Sequence, residues 1–149
     1  MMNQADLLNQ VATGLIKREL FALGGELFEA VGQTERAMGC YRKGHSYRQA
    51  VELARQSFPN EVIKLESEWG DHLVRSKQMD AAINHYIEAG NSGRAIEAAI
   101  AAQQWQKAQD ILEQTVADTE THAKYYKLLA EHYNKTKERF LVETVVTML

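Results

Sequence analysis

The sequence predicts an all-α fold, an α-solenoid of antiparallel helix pairs with about ten helices. Three observations carry that expectation. Apolar residues recur at three- and four-residue spacing. Within Trp69–Ala102, first Trp69, Leu73 and Val74, then Ala82, Ile83, Tyr86 and Ile87, then Ala95, Ile96, Ala99 and Ile100 each mark one helical face. Gly25–Arg55 also slides forty-five positions onto Gly70–Ile100. Gly25 falls on Gly70, Gln33 on Gln78, Ala37 on Ala82, Tyr41 on Tyr86, Ala50 on Ala95, Glu52 on Glu97 and Ala54 on Ala99. Finally, Ala37 to Ala50, Ala82 to Ala95 and Ala95 to Ala108 are each thirteen residues apart, the length of a short helix plus a tight turn. One amphipathic helix pair cannot bury its face alone, so such units stack. The plan is TPR-like. Residues 1–149 read as a single array and a fragment of a larger protein, with 135–149 its least regular part.

In chain order, the first helix is expected from about Asn3 to Phe21, with Leu7, Leu8, Val11, Leu15 and Ile16 as its stripe. The second, Gly25 to Val31, carries Leu27 and Phe28 and stops at Gly32. The third, Thr34 to Arg42, presents Ala37, Met38 and Tyr41, and Gly44 ends it where a left-handed cap is favoured. Ser46 and Gln49 fit a capping box opening a helix to Gln56. Pro59 forces a break and suits the first turn of the next helix, Asn60–Ser76, with Val62, Leu65, Trp69 and Leu73 on one face. Met79–Ala89, Ser92–Ala102 and Trp105–Thr115 follow, the last with Ala108, Ile111 and Leu112 inward. A loop at Val116–Glu120 leads to Thr121–Asn134, with Tyr125, Leu128, Leu129 and Tyr133. Lys137–Met148, with Phe140, Leu141, Val145 and Val146, closes the chain.

The repeat-packing residues are Gly25, Ala37, Tyr41, Ala50, Trp69, Gly70, Ala82, Tyr86, Ala95 and Ala108. The alanines sit where a larger side chain would hold neighbouring helices apart, so Ala82→Leu or Ala95→Leu should cost about 1–3 kcal/mol. Trp69 and Tyr86 are expected to be their large partners, and losing a fully buried Trp69 would cost about 3–5 kcal/mol.

Composition narrows the function classes. The chain has 149 residues, 45% of them apolar, enough for a core. One proline and 8% aromatics argue against an all-β fold. A net charge of -3 gives no reason to expect nucleic acid as a partner. No apolar run approaches the ~20 residues of a membrane span, so no direct membrane insertion is expected. The N-terminal MMNQADLLNQ lacks the basic start and apolar run of a signal peptide. Asn134-Lys135-Thr136 matches a glycosylation sequon that carries little weight without such a signal. Cys40 is the single cysteine, which excludes an internal disulfide and a cysteine-based zinc site.

The order of motifs also carries a resemblance. AVELARQSFPNEVIKLESEWGDHLVRSKQMDAAINHYIEAG (Ala50–Gly90) closely resembles a segment of the intraflagellar transport protein 172 family. Its members are long ciliary subunits with WD-repeat propellers followed by a helical repeat tail. GELFEAVGQTERAMGCYRKG (Gly25–Gly44) resembles the family's preceding segment, and AIEAAIAAQQWQKAQDIL (Ala95–Leu112) and KYYKLLAEHY (Lys124–Tyr133) the following one. After Tyr133, KERFLVETVVTML is bulkier than the family's pattern and lacks its small residue. The resemblance implies a non-catalytic protein–protein interaction scaffold of intraflagellar transport complex B, needed for cilium or flagellum assembly. It implies partners among the other transport subunits, and a place at the cilium and basal body on the cytosolic side. The alternative is a coat- or tether-type solenoid of vesicle traffic, which shares the propeller-plus-helix plan.

Chemistry is sparse. No catalytic residue, cofactor or metal site is expected. His45, His72, His85, His122 and His132 lack the i, i+4 pairing plus third ligand of a helical metal site, and read as partly buried, hydrogen-bonded helix-face residues. Cys40, which aligns with His85, reads as a packing residue. Gly24-Gly25 and Gly90–Gly93 read as turns or helix ends without the GK[ST] of a phosphate loop. No GxSxG elbow, HExxH helix or convergent acid–base pair is present. One local charge excess remains, around Arg42, Lys43, His45 and Arg48, with Tyr41, Tyr47 and Arg55 beside it. It reads either as a patch for an acidic partner helix or as cations placed favourably near a helix C-terminus. The ends of an excised array expose faces meant for neighbours, so self-association through them is plausible.

Overall fold

The computed structural model describes residues 3–115 and 119–148; within the last helix the side chains at 119, 121, 138, 140–143 and 148 lie outside the description. Among the described residues there are nine α-helices, one 3-10 turn and no strand. They are α1 (Gln4–Lys17), α2 (Phe21–Ala30), α3 (Thr34–Lys43), α4 (Tyr47–Ser57), the 3-10 turn Pro59–Glu61, α5 (Val62–Arg75), α6 (Met79–Glu88), α7 (Ser92–Ala101), α8 (Trp105–Gln114) and α9 (Thr119–Met148). The class is the expected all-α one of consecutively packed helix pairs. The chain divides into two compact units, Met1–Gly90 and Asn91–Leu149. In the first, α1 packs on α2, α2 on α3, α3 on α4, α4 on α5 and α5 on α6; in the second, α7 packs on α8 and α8 on α9.

The thirteen-residue beat has a physical source in the turns. α2, α3, α6, α7 and α8 are each ten residues long, and three residues separate each from the next helix or the previous one. The middle residue of each three-residue turn is left-handed: Glu19, Gly32, His45, Lys77, Gly90 and Gln103 have φ of 62, 82, 55, 61, 71 and 61°. Its N–H bonds back three residues, as Gly32 N to Glu29 O at 3.0 Å. In five of these turns the next N–H bonds back five, as Gln33 N to Phe28 O at 2.8 Å. This is the Schellman arrangement, which satisfies the helix's last free carbonyls. The third turn residue then opens the following helix, so one turn does the work of two caps.

Two expectations are corrected here. The left-handed residue after α3 is His45, while Gly44 has φ of -86°. Gly44 is needed for closeness instead: a Cβ there would lie 2.7 Å from the Phe21 Cβ. The capping box at Ser46 does not form: at ψ of 61° rather than in extended backbone its short hydroxyl makes no cap bond, whereas the longer Asn91 side chain still reaches at ψ of 72°. Gln49 instead donates to Glu26 Oε1 at 3.0 Å. Side-chain caps do form at Asn3, which accepts from Asp6 N, and at Asn91, which accepts from Arg94 N.

The fourth residue of α2, α3, α4, α6, α7 and α8 is small: Gly24, Ala37, Ala50, Ala82, Ala95 and Ala108. All five alanines are fully buried, and Ala37 and Ala50 share one core cluster with Tyr41 and Leu65. Gly24 and Gly25 lie inside α2, rather than in a turn or at a helix end as expected. A Cβ on Gly25 would stand 2.5 Å from Tyr41 Cε1, and one on Gly70 in α5 would stand 2.6 Å from Tyr86 Cε1. The two glycines therefore let the tyrosine rings of α3 and α6 lie flush on the preceding helix. α2 with α3 and α5 with α6 are the most closely packed neighbours in the first unit.

The remaining departures concern the break and the end. Pro59 opens a 3-10 turn, and the long helix starts after it at Val62 rather than Asn60. Trp69 is only partly buried, so its truncation should cost less than the loss of a fully buried tryptophan. Leu7 and Val11 on α1 are 53% and 46% exposed, which leaves two of the five residues of the expected α1 stripe largely uncovered. The expected loop at 116–120 lies outside the described residues at 116–118, and Thr119 and Glu120 are already helical. Thr121–Asn134 and Lys137–Met148 are one continuous helix, α9. No break occurs at Asn134–Thr136: Thr136 Oγ1 donates to His132 O at 3.0 Å, a local bond that turns a polar stretch back onto its own helix. Val145 and Val146 are 56% and 65% exposed, and Phe140 and Leu141 fall outside the described side chains. No helix of the described residues is apolar enough over its length to cross a membrane.

Candidate interaction surface

The repeat-packing residues form recurring glycine–tyrosine–carboxylate contacts. Tyr41, laid on Gly25, donates its phenol proton to Glu29 Oε1 at 2.7 Å. Tyr86, laid on Gly70, donates to Asp71 Oδ1 at 2.5 Å. In the second unit Tyr125 of α9 donates to Glu97 Oε1 of α7 at 2.9 Å, with Gly93 beneath its hydroxyl. Burial, then the carboxylate it bonds, pushes the Tyr125 phenol up to about 12 and raises Tyr41 as well. The Tyr41 and Tyr125 phenols thus stay protonated and donating at neutral pH. The Tyr125 contact does not follow from the forty-five-residue offset. Its signal is the four-residue spacing Gly93–Glu97, which matches Gly25–Glu29.

A line of rings runs along the first unit from the α3–α4 turn to α6. His45 stacks on His72 of α5, centroids 4.2 Å apart and planes 13° apart. Tyr47 at the start of α4 lies 5.8 Å from His72 and 6.3 Å from Trp69. Trp69 in turn stacks on His85 of α6 at 3.8 Å. His85 Nδ1 is 2.7 Å from Glu66 Oε2, and the other Glu66 oxygen is 3.7 Å from Arg55. Glu66 is 5% exposed, and a buried carboxylate needs such partners. Burial, then the neighbouring His45 and Arg75, lowers the pKa of His72. Burial raises the Tyr47 phenol most, with Glu68 adding to it.

The basic run does not stay together. Arg42 forms a bidentate ion pair with Glu68 of α5, its Nε 3.1 Å from Oε2. His45 is turned to His72 on the same helix. Lys43 lines a groove beside α1 and α2. Arg48 is exposed on α4. Consecutive helical residues point in different directions, so four neighbouring cations reach several surroundings.

The titratable side chains of this surface serve packing and pairing. Cys40 is buried, and burial raises its thiol above the ordinary value against a smaller lowering by Lys43, so it remains a thiol at neutral pH. Glu66 and His85 are the one close carboxylate–imidazole pair on this surface, and the indole of Trp69 covers the imidazole face. Among the described residues no group of three or more histidine, cysteine or carboxylate side chains could hold a metal ion. The geometry offered is one of surfaces: a ring line, an apolar groove and exposed helix faces.

No family model matches the chain. Comparison with known proteins finds long relatives. The chain is 51% identical over 138 residues to the intraflagellar transport protein 172 homolog of Danio rerio, covering 93% of this chain and 8% of that protein. It is 49% identical over 147 residues to the Homo sapiens homolog, 99% of this chain and 8% of the relative. With intraflagellar transport protein 172 of Chlamydomonas reinhardtii the identity is 48% over 130 residues, 87% of the chain and 7% of the relative. The chain therefore spans less than a tenth of the length of the curated relatives it matches.

Proposed function

The chain belongs to the intraflagellar transport protein 172 family as a segment of it, and from that premise we propose that it is a non-catalytic scaffold segment of intraflagellar transport complex B. Its work is to present helical surfaces to other transport subunits during assembly and movement of the cilium or flagellum. It acts at the cilium and basal body, on the cytosolic side. Residues 1–149 form one stretch of a longer array, since the sequence repeat continues across Gly90 without a change of period.

The observation that carries this reading is the identity of 48–51% over nearly the whole chain in relatives as distant as a fish and an alga. The packing supports it in kind: buried small-residue notches bring consecutive helices close together within each unit, and exposed helix faces are left for partners. Leu7, Val11, Leu20 and Leu23 are 44–53% exposed on α1 and beside it, available to a neighbouring repeat or, in isolation, to a second copy.

The test is twofold. The purified chain is used as bait against each of the other transport subunits, and the matching segment is deleted from the full-length protein in ciliated cells. Retention of at least one subunit, with shortened cilia after deletion, is expected. Retention of none together with normal cilia would remove the scaffold reading.

A further inference from the structure

Between α1, α2 and α3 the first unit carries an open groove of about 310 Å³. Its floor is Ile16, Phe21, Phe28 and Cys40, with Gly39 at the rim. Arg36 and Lys43 flank Gly39 on α3, three and four residues away, and both are exposed. Arg36 lies over the Phe28 ring at 5.7 Å. Among the described residues neither cation forms an ion pair, and no carboxylate lines the groove.

The repeat explains why this corner is open. Forty-five residues on, Phe21, Gly24 and Cys40 correspond to Glu66, Trp69 and His85. There the chain closes the corner itself: the indole stacks on the imidazole at 3.8 Å, and the imidazole meets the buried carboxylate at 2.7 Å. In the first repeat the ring-bearing positions hold a glycine and a thiol. Gly24 is buried under Ile16 of α1, which a Cβ would meet at 3.1 Å, and Cys40 carries a short thiol on the groove floor, so neither supplies a ring to the groove. At Gly39 a Cβ would meet nothing within 4 Å.

We propose that this groove receives an aromatic side chain from an acidic peptide segment of a protein partner. The volume suits one large side chain, and the second repeat fills the corresponding corner with an indole. The aromatic residue supplies the anchor, and Arg36 and Lys43 receive the flanking carboxylates.

The probe is a short fluorescein-labelled glutamate-rich peptide with one central tryptophan, titrated into the 149-residue chain and followed by polarisation. Replacing the probe's tryptophan with alanine should weaken binding more than about tenfold. Arg36→Glu with Lys43→Glu should weaken it by a similar factor and flatten its salt dependence. Gly39→Leu fills the groove from an unobstructed helical position and favours helix, so the fold survives while binding is lost. Alkylation of Cys40, the only thiol, should slow when the probe is bound. The proposal is overturned if the tryptophan probe does not bind, if the alanine probe binds equally, or if Gly39→Leu or the charge reversals leave affinity unchanged. It is equally overturned if sedimentation shows wild-type dimers that Gly39→Leu dissociates, since the occupant would then be a second copy.

Discussion

Gly70→Ala sets helix propensity against packing, and the structure decides the sign. In an unobstructed helix interior the change gains about 1 kcal/mol. At Gly70 the new methyl would lie 2.6, 2.7 and 2.9 Å from Cε1, Cδ1 and Cζ of Tyr86. That ring is 3% exposed, and its hydroxyl is tied to Asp71, so it cannot swing away without giving up a hydrogen bond to a carboxylate. Overpacking of this kind costs about 1–3 kcal/mol, and a strained bond to a charged group roughly 1–2 kcal/mol more. The expected net result is a loss of about 1–4 kcal/mol. Gly39→Ala is the control, with nothing within 4 Å, and should gain up to about 1 kcal/mol. Trp69 and Trp105 fall in different units, so urea unfolding followed by fluorescence in a Trp105→Phe background reports the first unit. A double-mutant cycle isolates the cause: with Tyr86→Leu in place the loss at residue 70 should vanish or reverse. If Gly70→Ala raises the midpoint as Gly39→Ala does, or if its loss persists without the ring, close packing is not why glycine stands there.

Lys77→Gly and Gln103→Gly should each gain about 0.5–1 kcal/mol, because both residues are left-handed, whereas Gly32→Ala and Gly90→Ala should each lose about 1 kcal/mol; thermal melts distinguish the two directions. Ala82→Leu should lower the urea midpoint of the first unit by about 1–3 kcal/mol in free energy, since Ala82 is fully buried at the notch of α6. Tyr125 gives the second unit an alkaline limit. Its phenol is raised to about 12 from an unfolded value of about 10, so the native state holds the proton more tightly. The contribution is intact below pH about 10 and is lost as pH rises through 12, on the order of 2–3 kcal/mol in all. Tyr125→Phe should flatten that decline, read from Trp105 fluorescence in a Trp69→Phe background.

The fold is legible where one residue type answers one physical demand. Only glycine lets the Tyr41 and Tyr86 rings lie on the preceding helix, and only a small residue fits the notch at Ala37, Ala50, Ala82, Ala95 and Ala108, so those identities recur and expose the period. The turns are hidden because the left-handed position tolerates several residues at modest cost. Glutamate, histidine, lysine and glutamine occupy it four times in six, so a reader looking for glycine finds Gly32 and Gly90 and misplaces the turn at Gly44. α9 misleads in the opposite way. Asn134, Lys135 and Thr136 read as punctuation, but the hydroxyl of Thr136 can be satisfied by the His132 carbonyl without ending the helix.

The surface is less legible because sequence adjacency is a poor guide to facing. Arg42 and Lys43 are neighbours in the chain, yet one is neutralised by Glu68 and the other lines the α1–α3 groove. What singles out the groove is a failure of the repeat rather than a motif. Where the repeat holds, as at Gly25 and Gly70, residues answer the demands of stacking. At residues 21, 24 and 40 the counterparts Glu66, Trp69 and His85 show that the same frame can be closed from within. At Gly24 close packing against Ile16 of α1 already calls for a small residue, so the departure that bears on the groove is the thiol of Cys40 in place of a ring. A groove bordered by two cations that form no ion pair among the described residues is where the proposed partner, rather than the fold's own stability, would set the sequence.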